Sequence, residues 1–260
     1  MTKKVSGKIP WIGTSWKMNK TRSEAIQFAE ALAASSFAST TTVQPFVIPP
    51  FPYMTDVATR LARTRVKVGA QNMHWADHGA WTGEISPVMI KDCGATLVEL
   101  GHSERRTFFN ETDETVALKT QAAVRHGLTA LVCIGDTRAE YDARETSAAL
   151  ERQVRGLLKY VAGEAQGNVI IAYEPVWSIG EGGTPATPDF ADEQHIKIDA
   201  LVRQLTGGPL PILYGGSVNP LNCVALAAQS HIDGLFIGRS AWDVQGYVGI
   251  MKAVTESLAT

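Results

Sequence analysis

The chain has 260 residues, 45% apolar and 19% charged, with 24 basic against 26 acidic side chains. That is enough for one sizeable core, and a formal charge of −2 excludes the basic excess of nucleic-acid binders and of proteins drawn to anionic membranes. Cys93, Cys133 and Cys223 are too few and too scattered for a disulfide frame or a metal knuckle, and read as reduced, buried thiols. Residues 1–13 are basic with no apolar stretch behind them, and no run approaches the roughly 18 apolar residues of a membrane span. The expectation is a soluble cytoplasmic protein with neither a nucleic-acid nor a membrane partner.

In chain order, short apolar runs rich in strand-forming residues fall at 11–15, 45–48, 66–70, 97–100, 130–134, 169–173, 212–214 and 235–237. Helical patterns separate them at 24–34, 53–62, 87–92, 114–126, 138–161, 188–205 and 220–228, and a last one lies near 243–258. Thr21 and Glu24 are spaced as a capping box. Ser86-Pro87, Thr187-Pro188 and Asn219-Pro220 each set a capping oxygen before a proline suited to the first helical turn. Eight strand-then-helix units predict an α/β protein, a (β/α)₈ TIM barrel occupying 1–260 as one domain. The rival, an open doubly wound sheet, lacks a Gly-x-Gly-x-x-Gly after its first strand.

Such barrels carry their chemistry at the C-terminal ends of the strands. Those positions hold Ser15 and Lys17 after the first run, Gln71 and Asn72 after the third, and His102 and Glu104 after the fourth. Glu174 follows the sixth, Gly215-Gly216-Ser217 the seventh and Gly238-Arg239-Ser240 the eighth. Glycine turns after strands 7 and 8 aim backbone N–H groups at an anion, the usual phosphate seat; read singly, each is also plain loop geometry. Glu174 precedes a proline that fixes its direction, and Tyr173, Val176 and Trp177 predict an apolar setting that raises its pKa. In isolation it reads equally as a salt-bridged strand-end carboxylate. His102 stands where a short helix begins, which disfavours imidazolium and keeps a neutral N–H donor. Lys17 can neutralise an enediolate oxygen and a phosphate together; read alone, it is equally a solvated lysine. The polar loop 178–185, with glycines at 180, 182 and 183, predicts a lid over this site. His74, Asp77 and His78 have loose metal-ligand spacing, but with no third cluster nearby they are assigned to hydrogen bonding or an interface.

These residues together resemble the triosephosphate isomerase family. The resemblance is carried by Ser-Trp-Lys-Met-Asn at 15–19, Gly-Ala-Gln-Asn at 69–72, Thr-Gly-Glu-Ile-Ser at 82–86 and Gly-His-Ser-Glu-Arg-Arg at 101–106. Tyr-Glu-Pro-Val-Trp at 173–177 and Tyr-Gly-Gly-Ser-Val at 214–218 complete it, over nearly the whole chain. That family is itself the standard illustration of a glutamate base, a neutral histidine and a closing loop, so those roles come with the resemblance. It implies a proton shuttle through an enediol with no metal and no organic cofactor. Glu174 carries the proton, and His102 and Lys17 polarise oxygens. Gly180, Ser217, Gly238 and Arg239 offer phosphate-binding N–H groups, and Glu104 and Tyr214 support. It also implies a homodimer in which the loop 71–86 enters the partner's site.

Three departures stand out. Ser15 replaces the family's usual asparagine, the lid tip reads Ser-Ile-Gly-Glu-Gly-Gly-Thr-Pro at 178–185, and Gly238-Arg239 replaces a glycine pair. With Gln-Asn-Met-His-Trp-Ala-Asp at 71–77 and Ile-Gly-Arg-Ser-Ala-Trp at 237–242, they resemble the branch that handles L-erythrulose 1-phosphate in bacterial erythritol breakdown. The resemblance then implies interconversion of L-erythrulose 1-phosphate and D-erythrulose 4-phosphate, with Ser15 and the altered lid making room for an extra CH₂OH. The alternatives are the three-carbon reaction of dihydroxyacetone phosphate, a Schiff-base aldolase with Lys17 as nucleophile, and a non-catalytic sugar-phosphate binder.

Overall fold

The computed structural model describes residues 9–180 and 182–259. Glu181, at the expected lid tip, and the basic start at 1–8 lie outside the described residues. Among those described, eight strands form one closed parallel barrel in sequence order: β1 (Trp11–Ser15), β2 (Gln44–Ile48), β3 (Lys67–Ala70), β4 (Leu97–Leu100), β5 (Thr129–Ile134), β6 (Val169–Tyr173), β7 (Ile212–Tyr214) and β8 (Gly234–Ile237). Closure is made by β1 against β8, with Trp11 beside Gly234 and Thr14 beside Ile237.

The two-residue period of each strand sorts its side chains. One set fills the lumen as a dry core of Phe46, Leu97, Leu131, Ile170, Leu213 and Phe236. The other set, including Ile12, Val47, Val98, Val132 and Ile171, packs outward beneath the helices. Gly13 belongs to the lumen. A Cβ there would lie 2.3 Å from the Phe46 ring, so only glycine leaves the ring its place. The same period carries on to the C-terminal ends of the strands, where the lumen turns polar with Ser15 and Glu99 inside β1 and β4 and Glu174 just after β6.

The helices are α1 (Arg22–Ala34), α2 (Met54–Leu61), α3 (Pro87–Asp92), α4 (Ser103–Phe108), α5 (Asp113–Arg125), α6 (Arg138–Asp142), α7 (Thr146–Leu158), α8 (Pro188–Thr206), α9 (Cys223–Ala227) and α10 (Val244–Leu258). Thr21 and Glu24 form the expected capping box on α1, and Ser86 and Thr187 accept from the third helical N–H of α3 and α8. Each such cap contributes about 1 kcal/mol.

Three expectations need correction. The long helix over 138–161 is two helices, because Arg144 turns into the left-handed region at φ 62°. At the break, the Thr146 hydroxyl donates to buried Asp136 at 2.7 Å, which also takes the Tyr173 hydroxyl and the Trp177 indole N–H. The helix over 220–228 starts only at Cys223, since Asn219 closes a turn with Leu221 and Asn222 instead of capping Pro220. Cys93, expected buried, is half-exposed at the end of α3, whereas Cys133 and Cys223 are buried; all three thiols are free. No helix among the described residues is long and apolar enough to cross a membrane.

Candidate active site

The C-terminal mouth of the barrel holds a cavity of about 300 Å³. Its walls bring together Ser15, Lys17, His102, Glu104 and Glu174 with Gly180, Ser217, Gly238 and Arg239, although they are scattered over more than 200 positions of sequence. Tyr214 does not line it. Its side chain faces the helix layer beside Tyr173 and His195, and its hydroxyl lies beneath Gly216, near Ser178 at the foot of the lid. Burial pushes that hydroxyl up to about 12, so it remains a phenol.

Glu174 is fixed by its backbone, whose N–H donates to Ile134 at 2.8 Å, and by Pro175 behind it. The carboxyl group is 3% exposed and packs on Gly215, where a Cβ would come within 2.7 Å of Glu174 Cγ. Its Oε2 has no hydrogen-bond partner among the described residues. Burial, then the nearby Glu99 carboxylate, push its pKa up to about 8 against the pull of Lys17. The expected neighbours are not the ones that create this setting. Tyr173 and Trp177 turn away to Asp136, while Glu99, Lys17, Cys133 and Glu104 surround the carboxyl.

His102 is the residue at which α4 starts, and its Nδ1 accepts the N–H of Glu104 at 3.1 Å. An Nδ1 that accepts carries no proton, so the neutral ring is the Nε2–H tautomer. Burial first, then the field of Lys17, hold the imidazole down at about 4, and Nε2 lies 3.5 Å from Glu174 Oε2. The ring therefore offers a neutral donor beside the base.

Lys17 sits at φ 52°, a left-handed conformation pinned by Gln71, whose Nε2 donates to its carbonyl at 2.9 Å. Its ammonium donates to Glu104 at 2.7 Å. Burial works against the charge, but Glu104 and the more distant Glu174 and Glu99 outweigh it and raise the pKa. A lysine held this firmly as ammonium stabilises anions; a Schiff-base nucleophile needs the free amine. Across the mouth, the turns after β7 and β8 and Gly180, at φ 85°, face the same space. Trp242 closes the floor between these turns and β1, its indole N–H donating to the Ser15 carbonyl at 2.9 Å.

Glu99 was not among the sequence-derived candidates. It stands on β4 at the same inward parity as Leu97, lines the cavity and is 3% exposed. The signal was present: a carboxylate two places after a lumen leucine, inside an otherwise apolar strand. His74, Asp77 and His78, assigned from sequence to hydrogen bonding or an interface, do not line the cavity. The His74 ring stacks between Trp75 and Trp81, Asp77 pairs with Arg125 and His126, and His78 is exposed.

The arrangement supplies a base with a raised pKa, a neutral N–H donor and a fixed cation around a small cavity, with the turns after β7 and β8 opposite them. That set suits proton abstraction beside a carbonyl with stabilisation of the resulting enediolate.

The sequence profile of the triosephosphate isomerase family matches residues 10–254. Curated relatives named L-erythrulose-1-phosphate isomerase match nearly end to end. That of Rhizobium meliloti (strain 1021) is 57% identical over 249 residues, covering 95% of this chain and 98% of the relative. That of Mesorhizobium japonicum is 56% identical with the same coverage, and that of Brucella abortus 57% identical over 93% of this chain and 94% of its own.

Proposed function

The chain belongs to the triosephosphate isomerase family and is an isomerase, and on that footing we propose that it interconverts L-erythrulose 1-phosphate and D-erythrulose 4-phosphate. The observation that carries the four-carbon reading is the 57% identity, over nearly the full length of both chains, to proteins named for that substrate. Ser15 fits it. The short side chain beside Lys17 leaves room in the cavity for the CH₂OH that a four-carbon ketose carries in place of a triose hydrogen.

The reaction then runs on this chain's own residues, with no metal or organic cofactor in the scheme. The Glu174 carboxylate takes the proton from C3, and the C–H electron pair forms the C2=C3 double bond. The C2 carbonyl electrons move to oxygen, where His102 Nε2–H and the Lys17 ammonium meet the developing charge. Glu174, now protonated, returns the proton to C2, and the C3 hydroxyl passes its own proton by way of His102 to the C2 oxygen, so that C3 becomes the new ketone and C2 the new hydroxyl-bearing carbon. Backbone N–H groups of Gly180, Ser217, Gly238 and Arg239 hold the phosphate. Glu104 holds Lys17 in line, and Tyr214 supports the foot of the lid through Ser178.

Side-by-side kcat/KM values for L-erythrulose 1-phosphate and dihydroxyacetone phosphate test the reading. Discrimination by one small group amounts to about 10–200-fold, so the four-carbon substrate is expected ahead by at least about tenfold. A preference for dihydroxyacetone phosphate overturns it in favour of the three-carbon reaction.

We also propose that the enzyme acts in the cytoplasm, as one domain and as a homodimer through the loop 71–86. Trp81 on that loop is 51% exposed and Met18, next to Lys17, is 97% exposed, which is apolar surface suited to a partner at the mouth. Light scattering giving a monomer mass at micromolar concentration contradicts the dimer.

A further inference from the structure

We propose that Glu99 is the specificity-determining residue of this site: its carboxyl group binds the terminal hydroxymethyl that a four-carbon keto-sugar phosphate carries and a triose phosphate lacks. The inference rests on the four-carbon reading above and assigns the side chain that reads the fourth carbon.

Position is the first argument. In the closed strand order β4 stands across the barrel from β8. A phosphate seated on the turns after β7 and β8 therefore directs the carbon chain across the mouth toward β4. The additional CH₂OH is attached to the reacting carbon farther from the phosphate, so it arrives at that strand. Glu99 is the inward-facing polar residue there, and Ser15, reaching its carboxyl from the end of β1, lines the cavity with it.

Unmet bonding is the second. Glu99 is 3% exposed, and its Oε2 has no hydrogen-bond partner among the described residues. A buried carboxyl oxygen left unpaired is costly, and β4 is otherwise apolar, so packing gives no reason for a glutamate there. The proton shuttle does not use it either; Glu174, His102 and Lys17 complete that chemistry. Burial pushes Glu99 up to about 7 even though Ser15 and Lys17 pull it down, so the protein's own groups leave the carboxyl incompletely satisfied. An incoming hydroxyl supplies the missing partner. A site built to bond a hydroxyl also rejects a substrate without one, because the protein group is then left buried and bare.

The test uses Glu99→Val, which removes the carboxyl and suits a strand, and Glu99→Gln, which keeps an acceptor oxygen in the same shape. Two readouts are compared: kcat/KM on L-erythrulose 1-phosphate and dihydroxyacetone phosphate, and the Kd of 2-phosphoglycolate. The last has a carboxylate that imitates the planar enediolate oxygens, and no hydroxymethyl. The four-carbon to three-carbon ratio is expected to fall about 100-fold in Glu99→Val, with Glu99→Gln between it and the wild type. Where triose turnover is too slow to measure, loss of four-carbon turnover with 2-phosphoglycolate binding retained is the supporting result. Parallel loss on both substrates together with weakened 2-phosphoglycolate, or an unchanged ratio, overturns the proposal. A wild-type preference for dihydroxyacetone phosphate overturns the four-carbon reading and this inference together, and it shows before any variant is made.

Discussion

Two groups of buried carboxylates in this molecule have opposite fates. Glu111, between α4 and α5, gathers Lys119 and Arg105 on one oxygen, and Lys119 also donates to Asn72 at 2.9 Å. Burial alone would raise Glu111, but the two cations outweigh it and hold its pKa below the usual range; burial lowers Lys119 as well. Glu174 and Glu99 are more deeply buried, and their only nearby ammonium among the described residues, Lys17, is bonded to Glu104; both carboxyls are pushed up. Both groups are buried, more deeply at the mouth; the direct bond from a cation to the oxygen belongs to Glu111 alone of the three. Where a cation is supplied the carboxylate is architecture, and where it is withheld the carboxylate keeps a proton affinity useful near neutral pH.

The contrast breaks most sharply at the base. Glu174→Gln keeps the shape and removes the proton carrier, so kcat/KM on L-erythrulose 1-phosphate is expected to fall about 10³-fold or more, with the circular dichroism spectrum unchanged. A loss under tenfold contradicts the role given to Glu174. On the architectural side, Lys119→Met strands Glu111 with Arg105 alone. Breaking a buried pair costs about 3 kcal/mol or more, so thermal unfolding is expected to fall by roughly 6–12 °C while kcat/KM at 25 °C stays within about threefold. An unchanged Tm sinks the structural assignment of that cluster.

Stability against pH sharpens the comparison. Glu99 in the folded chain holds its proton more tightly than at the ordinary value of 4.5, so the folded state loses stability as pH rises through about 7. Glu111 has the opposite sign: its stabilisation is present above the ordinary carboxylate range and is lost as pH falls through its lowered pKa. Replacing Glu99 by Val removes a penalty of about 3 kcal/mol at pH 9, partly offset by the smaller side chain, so Tm is expected above wild type there and equal to it near pH 5. A variant less stable at both pH values contradicts this. The smallest effect is kinetic. The groups facing Glu174 are Lys17 after β1, Glu99 on β4, His102 and Glu104 at α4, and Cys133 on β5. Glu99 is the largest of the charges that raise it. The acid limb of kcat/KM, where Glu174 takes up its proton, is expected about one pH unit lower in Glu99→Gln. An unmoved limb removes Glu99 from the electrostatics of the base.

The barrel was legible because its strands are apolar runs separated by capped helices; β1, β4, β6 and β7 coincide with the runs read from sequence. What was not legible depended on distant partners. Residues 138–161 are helix-forming throughout, and their interruption answers a demand from buried Asp136 that only the fold creates. Asn219 resembles a cap locally but is used in a turn. At the site, Glu174, His102 and Lys17 stood out as polar residues just past strand ends. Glu99 was passed over because it lies inside a strand, although its inward parity could be counted from Leu97. The surroundings of Glu174 were misread for a related reason: adjacent residues in sequence point to opposite sides of a strand, so Tyr173 belongs to the helix layer and Glu99, on another strand, to the base.

The central claim is that Glu174 moves a proton between the two inner carbons of a four-carbon ketose phosphate. Turnover of L-erythrulose 1-phosphate in D₂O, followed by ¹H NMR, tests it most directly. The account predicts D-erythrulose 4-phosphate carrying deuterium at its new methine carbon, because the proton passes through an exchangeable carboxyl, and predicts almost no product or uptake with Glu174→Gln. Product that keeps the substrate's own hydrogen entirely, or deuterium uptake undiminished in the variant, contradicts it.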